Sequence, residues 1–332
     1  MIGYYAHHHG SGHVTRATSI AHCLAEPLTV LSSRQRPAHS DIEWIVLPLD
    51  TDDTAVDSLD PTAGGIAHWA PTGVRGLTDR MAVIAEWVAR ERPTLFVVDV
   101  SIEVALFVRL LGVDVVVMAM PGDRTDEPHE LAYRAATKII APWSQSFYDP
   151  EWLHPYAAKT SYVGAISRFD GRPRESTSTD PTVVVLGGAG GTALSTSDVT
   201  DAASANPEYQ WVPAGIDDQS WVDDVWPTLC SATVVVTHAG QNAIADCACA
   251  RVPTIVIPQE RPHGEQSATA KALETAGAAV LADGWPDPGT WTSVLTRARA
   301  LDSAAWNNLR QPGAAARAAG ILSTVVDDRS AR

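Results

Sequence analysis

No stretch of this sequence reaches the roughly 18 consecutive apolar residues that a membrane-spanning helix requires. Neither half is basic: residues 1–165 hold 12 Lys and Arg against 20 Asp and Glu, and residues 166–332 hold 12 against 19. The net charge of -15 therefore disfavours binding to nucleic acid and general adsorption to anionic lipid. A local patch that contacts a membrane peripherally stays open. The chain begins on an apolar strand rather than a signal peptide, so we expect a cytoplasmic protein.

Cysteine is scarce, and its spacing fits no zinc motif: the four are Cys23, Cys230, Cys247 and Cys249. The last two lie two positions apart in a predicted helix and do not face each other, which favours small buried thiols. No GxGxxG fingerprint is present, and no cluster of Asp and Glu suits Mg²⁺. We therefore expect no metal and no cofactor.

Histidines are grouped near the N-terminus, where His7, His8 and His9 follow a predicted strand. Three successive side chains diverge at a strand end, so they cannot all bind one ion. We interpret them as polar loop residues. A metal site in this segment is accordingly disfavoured.

Apolar runs of strand length alternate with helical patterns along the 332 residues, of which 45% are hydrophobic and 19% charged. This alternation predicts an α/β fold with parallel sheets covered by helices on both faces. It stops over 166–181, a polar segment with Gly, Pro, Ser and Thr that resembles a linker. We therefore predict two doubly wound, Rossmann-like domains over 1–165 and 182–312, facing each other across a cleft. The Ala-rich helix predicted within 313–332 could pack back on the first domain.

The first glycine loop, Gly10-Ser11-Gly12-His13, lies between the first predicted strand and a helix. Glycines allow a tight turn, and a helix N-terminus favours an anion or a polar group of a substrate. Asp99 ends a wholly apolar strand, LFVVD, at the edge of the sheet where ligands bind. It could orient a histidine such as His13, or it could cap the helix that follows, a role equally open to Ser101.

The second glycine loop, 187–191, holds four glycines in five residues and follows the strand TVVVL. We expect Gly188, Ala189 and Gly190 to contact a phosphate or a sugar, and we predict a helix over 192–203. The long stretch 50–76 has weak periodicity with Pro and Gly punctuation, which indicates a loop of the kind that carries binding residues.

The segment 237–277 is the most informative part of the sequence. A buried strand ends at His238-Ala239-Gly240, a helix starts at Gln241-Asn242, and Asp246 lies one turn further on the face of Asn242. Backbone N–H groups at such a helix start can hold a diphosphate, and an acidic side chain nearby can reach ribose hydroxyls. A second strand then leads through Pro258 to another helix start at Glu265-Gln266.

These residues resemble the GT-B glycosyltransferases, and most of all the MurG-like group together with the UDP-glycosyltransferase signature. Residues 237–246 are similar to TH-x-G-x-N-x-x-x-E, Val252-Pro253 to Pro258 to VP-x-x-x-x-P, and residues 265–278 to (D/Q)Q-x-x-NA-x-x-x-E-x-x-G-A. The GSGH and VLGGAGG loops match the other two glycine loops of that family, so the likeness spans most of the chain.

The resemblance implies an inverting, metal-independent transfer from a nucleoside-diphosphate sugar, most often UDP-linked. It implies that His238, Gly240 and Asn242, with Ala239 and Gln241 between them, hold the diphosphate. It further implies that Asp246 binds ribose, that Glu265 and Gln266 bind the donor sugar, and that His13 is the general base on an acceptor hydroxyl. An aspartate at 246 replaces the usual glutamate, and Ser267-Ala268-Thr269 replaces the usual Asn-Ala region.

Three functions stay open at this point. The first is sugar transfer to an acceptor, which could be a small molecule, a glycan or a lipid-linked compound. The second is a UDP-sugar 2-epimerase of the same architecture, which would need several acid and base carboxylates around the sugar. The third is a sugar-nucleotide-binding protein without catalysis.

Overall fold

The computed structural model describes residues 1–38, 40–51, 60–175, 180–188, 190–192 and 194–331. Its N-terminal sheet is built from seven strands: β1 (Ile2–Ala6), β2 (Leu28–Ser32), β3 (Glu43–Val46), β4 (Leu95–Asp99), β5 (Asp114–Met118), β6 (Lys138–Ala141) and β7 (Thr160–Tyr162). They are all parallel and stand in the order β3-β2-β1-β4-β5-β6-β7. Every residue of β1, β2 and β4 is buried, because helices cover both faces of a parallel sheet.

The second sheet is also wholly parallel and is built from β8 (Thr182–Leu186), β9 (Gln210–Ala214), β10 (Val234–Thr237), β11 (Thr254–Val256) and β12 (Ala279–Leu281). Its order is β12-β11-β10-β8-β9. The two doubly wound α/β units predicted from the sequence are therefore confirmed.

Ten helices accompany the strands in the described part of the chain. They are α1 (Gly12–Ala21), α2 (Arg75–Glu91), α3 (Ile102–Leu110), α4 (Glu127–Ala135), α5 (Thr196–Ala205), α6 (Trp226–Ser231), α7 (Gln241–Ala250), α8 (Glu265–Thr275), α9 (Trp291–Arg299) and α10 (Ala314–Ser330). Short 3-10 turns lie at Ala63–Gly65, Glu151–Lys159, Pro262–Gly264, Pro288–Thr290 and Ser303–Asn308. None of the described helices has the length and apolar composition needed to cross a membrane.

The start of helix α5 differs from the prediction. α5 begins at Thr196 rather than 192, because Ser195 and Asp198 form a reciprocal capping box. The glycine loop at 187–191 consequently runs into an irregular segment and not directly into a helix. The six-residue α6 was not predicted, since it is too short to show a period.

The C-terminal helix α10 returns to the first sheet. Its Ala318 and Leu322 share an apolar core with Ile2, Val14 and Ile20 of β1 and α1. The last helix of the chain thus contributes to the core of the N-terminal half.

Strand order reverses at one place in each sheet. In the first sheet β1 lies beside β4, and Ala6 is paired with Asp99 at their carboxyl ends. In the second, β10 lies beside β8, and Thr237 is paired with Leu186. Ligands of doubly wound sheets bind at such switch points, and both of them face one cleft.

Candidate active site

A cleft of 490 Å³ lies between the carboxyl ends of the two sheets. Three helices start at its wall: α1, α7 and α8, and no side chain caps any of the three N-termini. Their first-turn N–H groups are therefore available to a ligand. Gly10, Ser11 and Gly12 line the cleft from one side, and Gly188 and Gly190 line it from the other.

Asp99 is fully buried at the end of β4 and accepts three hydrogen bonds. His13 Nδ1 lies 2.9 Å from Asp99 Oδ1, and Arg16 donates to the same oxygen at 2.8 Å. The Tyr4 hydroxyl donates to Oδ2 at 2.9 Å. Burial alone would raise the pKa of Asp99, but the charge of Arg16 and the His13 and Tyr4 bonds lower it below its ordinary value. The carboxylate is ionised at neutral pH.

An ionised Asp99 fixes the tautomer of His13. A carboxylate oxygen accepts, so Nδ1 carries the proton and Nε2 of the neutral ring presents a lone pair. The described residues offer no hydrogen-bond partner to Nε2, and His13 lines the cleft. The ring is thus oriented as a proton acceptor that faces a ligand.

Helix α3 is capped by Ser101, whose Oγ accepts from the amide of Val104 at 3.2 Å. This leaves Asp99 free of the capping role. Between them, Val100 has φ +66°, a left-handed conformation that a β-branched residue rarely adopts. Such strain concentrates at functional sites, and here it lies directly beside the buried carboxylate.

The His238 ring forms hydrogen bonds with two segments at the switch point of the second sheet. Its Nδ1 donates to the carbonyl of Ile257 at 2.8 Å, so its Nε2 accepts from the Thr192 hydroxyl at 2.7 Å. Burial lowers the pKa of His238 and keeps the ring neutral. From the opposite side, Arg261 donates to the carbonyls of Gly190 and Gly191 at 2.9 and 3.2 Å. These bonds hold the C-terminal end of the second glycine loop, while Ala189 lies outside the described residues.

The start of α7 contacts the first half of the chain. Gln241 Oε1 accepts from Arg16 at 2.6 Å, and Asn242 Nδ2 donates to the carbonyl of Gly12 at 3.1 Å. Gly240 precedes the helix and lines the cleft, whereas Ala239 is completely buried. The side chains of Gln241 and Asn242 thus join the two halves in this structure, and the backbone of the helix start faces the ligand space.

Asp246 is buried one turn further along α7 than Asn242 and does not line the cleft. Ser167 donates to its Oδ1 at 2.6 Å, and Arg168 Nε lies 3.4 Å from its Oδ2. Burial raises the pKa of this carboxyl to about 6, although Arg168 and Ser167 act in the opposite direction. The ribose contact stays a prediction, since both oxygens are engaged with residues between the two sheets.

Glu265 and Gln266 open α8 at the cleft. The Gln266 side-chain oxygen accepts from the backbone amide of Gln259 at 2.8 Å, which closes the loop before the helix. Glu265 lines the cleft, and its charge acts on Arg124. Both predicted residues therefore line the cleft. Gln266 also stabilises the loop that precedes α8.

Three more histidines line the cleft around Asp126: His68, His129 and His263. Burial and the nearby Arg124 charge lower the pKa of His129 to about 3, and burial likewise lowers that of His263. Hydrogen bonds from His129 and His68 lower the pKa of Asp126 to about 2 against the effect of burial.

His7 and His8 are half-buried in the loop after β1, and His9 is exposed. His7 stacks on His8 with ring centroids 4.5 Å apart. Burial and the neighbouring His13 lower the pKa of His7 to about 2. The interpretation of His7, His8 and His9 as loop residues agrees with their position between β1 and α1.

Sequence reasoning missed several residues of the site. Arg16 lies three positions after His13 and therefore on the same face of α1. This spacing is the one sequence feature that indicates a role for Arg16 in the site. Arg261 contacts loop carbonyls and Thr192 contacts the His238 ring, and neither contact leaves a pattern in the sequence. His68 and His263 are 195 positions apart, a distance at which spacing carries no information.

Comparison with known proteins identifies the fold and the second domain. Residues 182–284 match the glycosyltransferase family 28 C-terminal domain. No curated protein sequence matches the chain. Among solved structures, the glycotransferase of kitacinnamycin aligns with a TM-score of 0.69 at 13% identity, covering 98% of both chains.

Two other structures show the same likeness over nearly the whole length. The spinosyn rhamnosyltransferase SpnG complexed with thymidine diphosphate has a TM-score of 0.68 at 15% identity and covers 98% of this chain and 100% of its own. MurG of Acinetobacter baumannii has a TM-score of 0.63 at 14% identity, covering 97% and 99%. The fold is therefore GT-B. Within this fold, the match to the glycosyltransferase family 28 C-terminal domain covers the second sheet and helices α5 to α8.

Proposed function

We propose that this enzyme transfers a sugar to an acceptor hydroxyl with inversion at the anomeric carbon, and that His13 is the general base. The observation that carries the proposal is the free Nε2 of His13, held toward the cleft by the buried Asp99 at 2.9 Å. The same cleft receives the uncapped start of α7, where a departing diphosphate would be stabilised.

The chemistry is a single displacement. The acceptor oxygen attacks the anomeric carbon and gives its proton to His13 Nε2, while the bond between that carbon and the diphosphate oxygen breaks. The electron pair leaves with the diphosphate. Asp99 stabilises the imidazolium that forms, and backbone N–H groups of α7 stabilise the leaving group. These N–H groups supply the stabilisation of the leaving group, and the proposed mechanism includes no metal and no cofactor.

On the donor side we assign the diphosphate to the backbone at His238, Gly240 and Asn242 and to the loop 187–191. Glu265 and Gln266 are assigned to the donor sugar. Asp246 is assigned to ribose, which requires the Arg168 side chain to move aside, and its 42% exposure allows this. The thymidine diphosphate of the spinosyn rhamnosyltransferase makes dTDP-sugars as good a starting point as UDP-sugars.

The acceptor side is rich in apolar groups. Val100, Ile102, Met118, Met120 and Tyr133 line the cleft around His13. We therefore propose a small-molecule acceptor with an apolar body and a hydroxyl that reaches His13 Nε2, since apolar walls with a few polar groups are typical of small-molecule sites.

The donor is tested first by thermal shift with UDP-, dTDP- and GDP-sugars, because stabilisation grows with the logarithm of occupancy. The cognate donor is then incubated alone and with a panel of hydroxylated acceptors. Inertness without acceptor and a glycosylated product with it support transfer, whereas an epimer formed from donor alone supports the epimerase. His13→Ala should abolish turnover and keep the donor-induced shift. Turnover that survives in His13→Ala would remove His13 as base.

A further inference from the structure

A cluster of four side chains, His68, Asp126, His129 and His263, lies at one side of the cleft and plays no part in the proposed transfer. We call it the His–Asp cluster. Its members come from three separate segments: the loop before α2, the start of α4, and the 3-10 turn before α8. The first two belong to the N-terminal half of the chain and the third to the C-terminal half.

The donor atoms of the four side chains lie close enough together to bind one cation. His68 Nε2 lies 3.0 Å from Asp126 Oδ2, and His263 Nδ1 lies 3.5 Å from the same oxygen. His129 Nδ1 lies 2.6 Å from Asp126 Oδ1, and all four ligand atoms lie within 4.8 Å of one another. Ligands at 2.0–2.1 Å around a tetrahedral ion are about 3.3 Å apart.

We propose that the His–Asp cluster binds one Zn²⁺ or a similar imidazole-preferring divalent ion, and that this ion ties the two halves of the enzyme together across the cleft. Three neutral imidazoles and one carboxylate are a donor set suited to such ions and poor for Mg²⁺ or Ca²⁺. With all four ligands from protein, the ion has a structural role and takes no part in sugar transfer.

The ligands are held in place by contacts that do not involve the ion. Glu103 Oε1 accepts from the backbone amides of His68 and Trp69 at 2.8 and 3.0 Å, which fixes the loop on α3. Asp126 caps α4 by accepting from the amide of His129 at 3.0 Å. The carbonyl of His263 accepts from the amide of Asp123 at 2.8 Å. A prearranged site loses less entropy on binding.

Arg124 is the one cationic side chain in contact with the cluster among the described residues. Its Nη1 lies 3.2 Å from His129 Nε2, so in the ion-free protein that nitrogen accepts and Nδ1 carries the proton. Binding through Nδ1 moves this proton to Nε2 and breaks the Arg124 contact. Two other bonds, from Arg124 Nε and Nη2 to the carbonyl of Pro121, keep the guanidinium in place.

The location of the ion would limit the movement of α8 relative to the N-terminal half. His263 lies two positions before Glu265, which begins the helix assigned to the donor sugar. An ion held jointly by His68 and His263 would restrict opening of the cleft at this side. The position of α8 relative to the N-terminal half would then depend on metal occupancy.

The test titrates metal-free enzyme with Zn²⁺ in a calorimeter, without donor or acceptor, so that its outcome is independent of the proposed function. We expect one Zn²⁺ per chain. His68→Ala and His263→Ala should each weaken binding by more than the roughly 10–100-fold that loss of an outer-shell partner costs. The matched control is His8→Ala, which removes a partly buried histidine from a second group, formed by His7, His8 and Asp50, and should leave the affinity unchanged.

Two further measurements keep the result decisive if a variant folds poorly. X-ray absorption of the Zn²⁺-loaded wild type should give three imidazole nitrogens and one oxygen at 2.0–2.2 Å. Arg124→Gln removes the adjacent charge and supplies a neutral acceptor for His129 Nε2–H, so it should bind Zn²⁺ more tightly. Equal Zn²⁺ affinity in His263→Ala and wild type, loss of binding in His8→Ala, or no saturation at one equivalent would overturn the proposal.

Discussion

His13 and Asp99 form a hydrogen-bonded pair of 2.9 Å although 86 positions separate them in the sequence. They meet because β1 and β4 are neighbours at the reversal point of the first sheet, which brings the loop after β1 to the end of β4. Asp99 is fully buried, while 12% of the His13 side chain is exposed. One partner is thus a fixed charge and the other faces the ligand.

Replacing Asp99 by Asn tests this relationship. The change keeps the shape, removes the charge and disturbs the His13 tautomer, so we expect kcat to fall by about 10²–10⁴-fold with little change in donor affinity. Asp114→Asn is the control, because Asp114 begins β5 at the opposite edge of the sheet, and its kcat should equal that of wild type. A full kcat in Asp99→Asn would show that the pair does not act in catalysis.

Asp99→Asn should also lower stability, because it leaves Arg16 buried without a counter-charge. The expected loss in the free energy of unfolding is about 3–5 kcal/mol at pH 7. Since the folded pKa of Asp99 is lowered, its contribution is present above the unfolded value of about 3.9 and is lost as pH falls through the folded value. Urea unfolding at pH 7 and at about pH 2 measures both, and an equal difference down to the most acid pH would contradict this account.

The contribution of Asp246 to the free energy of unfolding changes with pH in the opposite direction. Its folded pKa of about 6 against the ordinary 3.8 means that the folded state binds the extra proton, so stability falls as pH rises from about 4 to 6. Above pH 6 the cost is complete, on the order of 3 kcal/mol. Asp246→Asn should therefore be more stable than wild type at pH 7.5 and equal to it near pH 4.

Thermal unfolding across this pH range is the measurement. The control is Asp224→Asn, which removes a solvent-exposed carboxylate paired with Arg172 and should change stability by no more than about 1 kcal/mol. If Asp246 also reaches the ribose, the same variant will bind the donor less tightly while being more stable. Lower stability of Asp246→Asn at pH 7.5 would contradict the raised pKa.

Neighbouring glycines in the second glycine loop allow a paired test. A Cβ on Gly187 would lie 2.2 Å from the carbonyl oxygen of Gly215, whereas a Cβ on Gly188 would meet nothing within 4 Å. Gly187→Ala should therefore lower the unfolding temperature. Gly188→Ala should fold like wild type, but its methyl group occupies space assigned to the donor diphosphate.

We expect Gly188→Ala to raise the donor Kd about tenfold or more, which corresponds to about 1.4 kcal/mol. Calorimetric titration with the cognate nucleotide measures this, and unfolding temperature separates it from loss of fold. Unchanged donor affinity in a folded Gly188→Ala would place the diphosphate elsewhere.

Much of the fold could be predicted because buried parallel strands are continuous apolar runs. The apolar runs LFVVD and TVVVL coincide with β4 and β8 for this reason, and the glycine loop 187–191 follows from the end of β8. The start of α5 was missed because a capping box at Ser195 and Asp198 outweighs the apolar pattern that begins earlier.

The site was less accessible to sequence reasoning, since side-chain direction depends on how the two halves pack. Asp246 lies on the helical face expected from its spacing, yet that face meets Ser167 rather than the cleft. His263 reaches Asp126 only because the turn before α8 approaches α4. Nothing in the local sequence of either segment specifies that approach.

At Gly122 the backbones of the two halves approach each other closely, next to His263 of the His–Asp cluster. It has φ +101°, and a Cβ there would lie 2.3 Å from the carbonyl oxygen of His263 and 3.1 Å from the amide nitrogen of Glu265. Backbone atoms cannot move aside as a flexible side chain can. Gly122→Ala should consequently push the turn before α8 away from the N-terminal half.

Gly112→Ala is the matched control, because Gly112 has φ +82° and a Cβ there would meet nothing within 4 Å. Both substitutions place an alanine at positive φ, at a cost of about 1–2 kcal/mol each, so a difference between them reports the clash alone. Gly112→Ala should retain the donor Kd and turnover of wild type at a lower unfolding temperature. Gly122→Ala should in addition bind donor more weakly, since Glu265 and Gln266 would be displaced from the cleft. Equal donor affinity in the two variants would mean that α8 keeps its place when this contact is broken, and that closure of the cleft depends instead on the bonds from Arg16 to Gln241 and from Asn242 to Gly12.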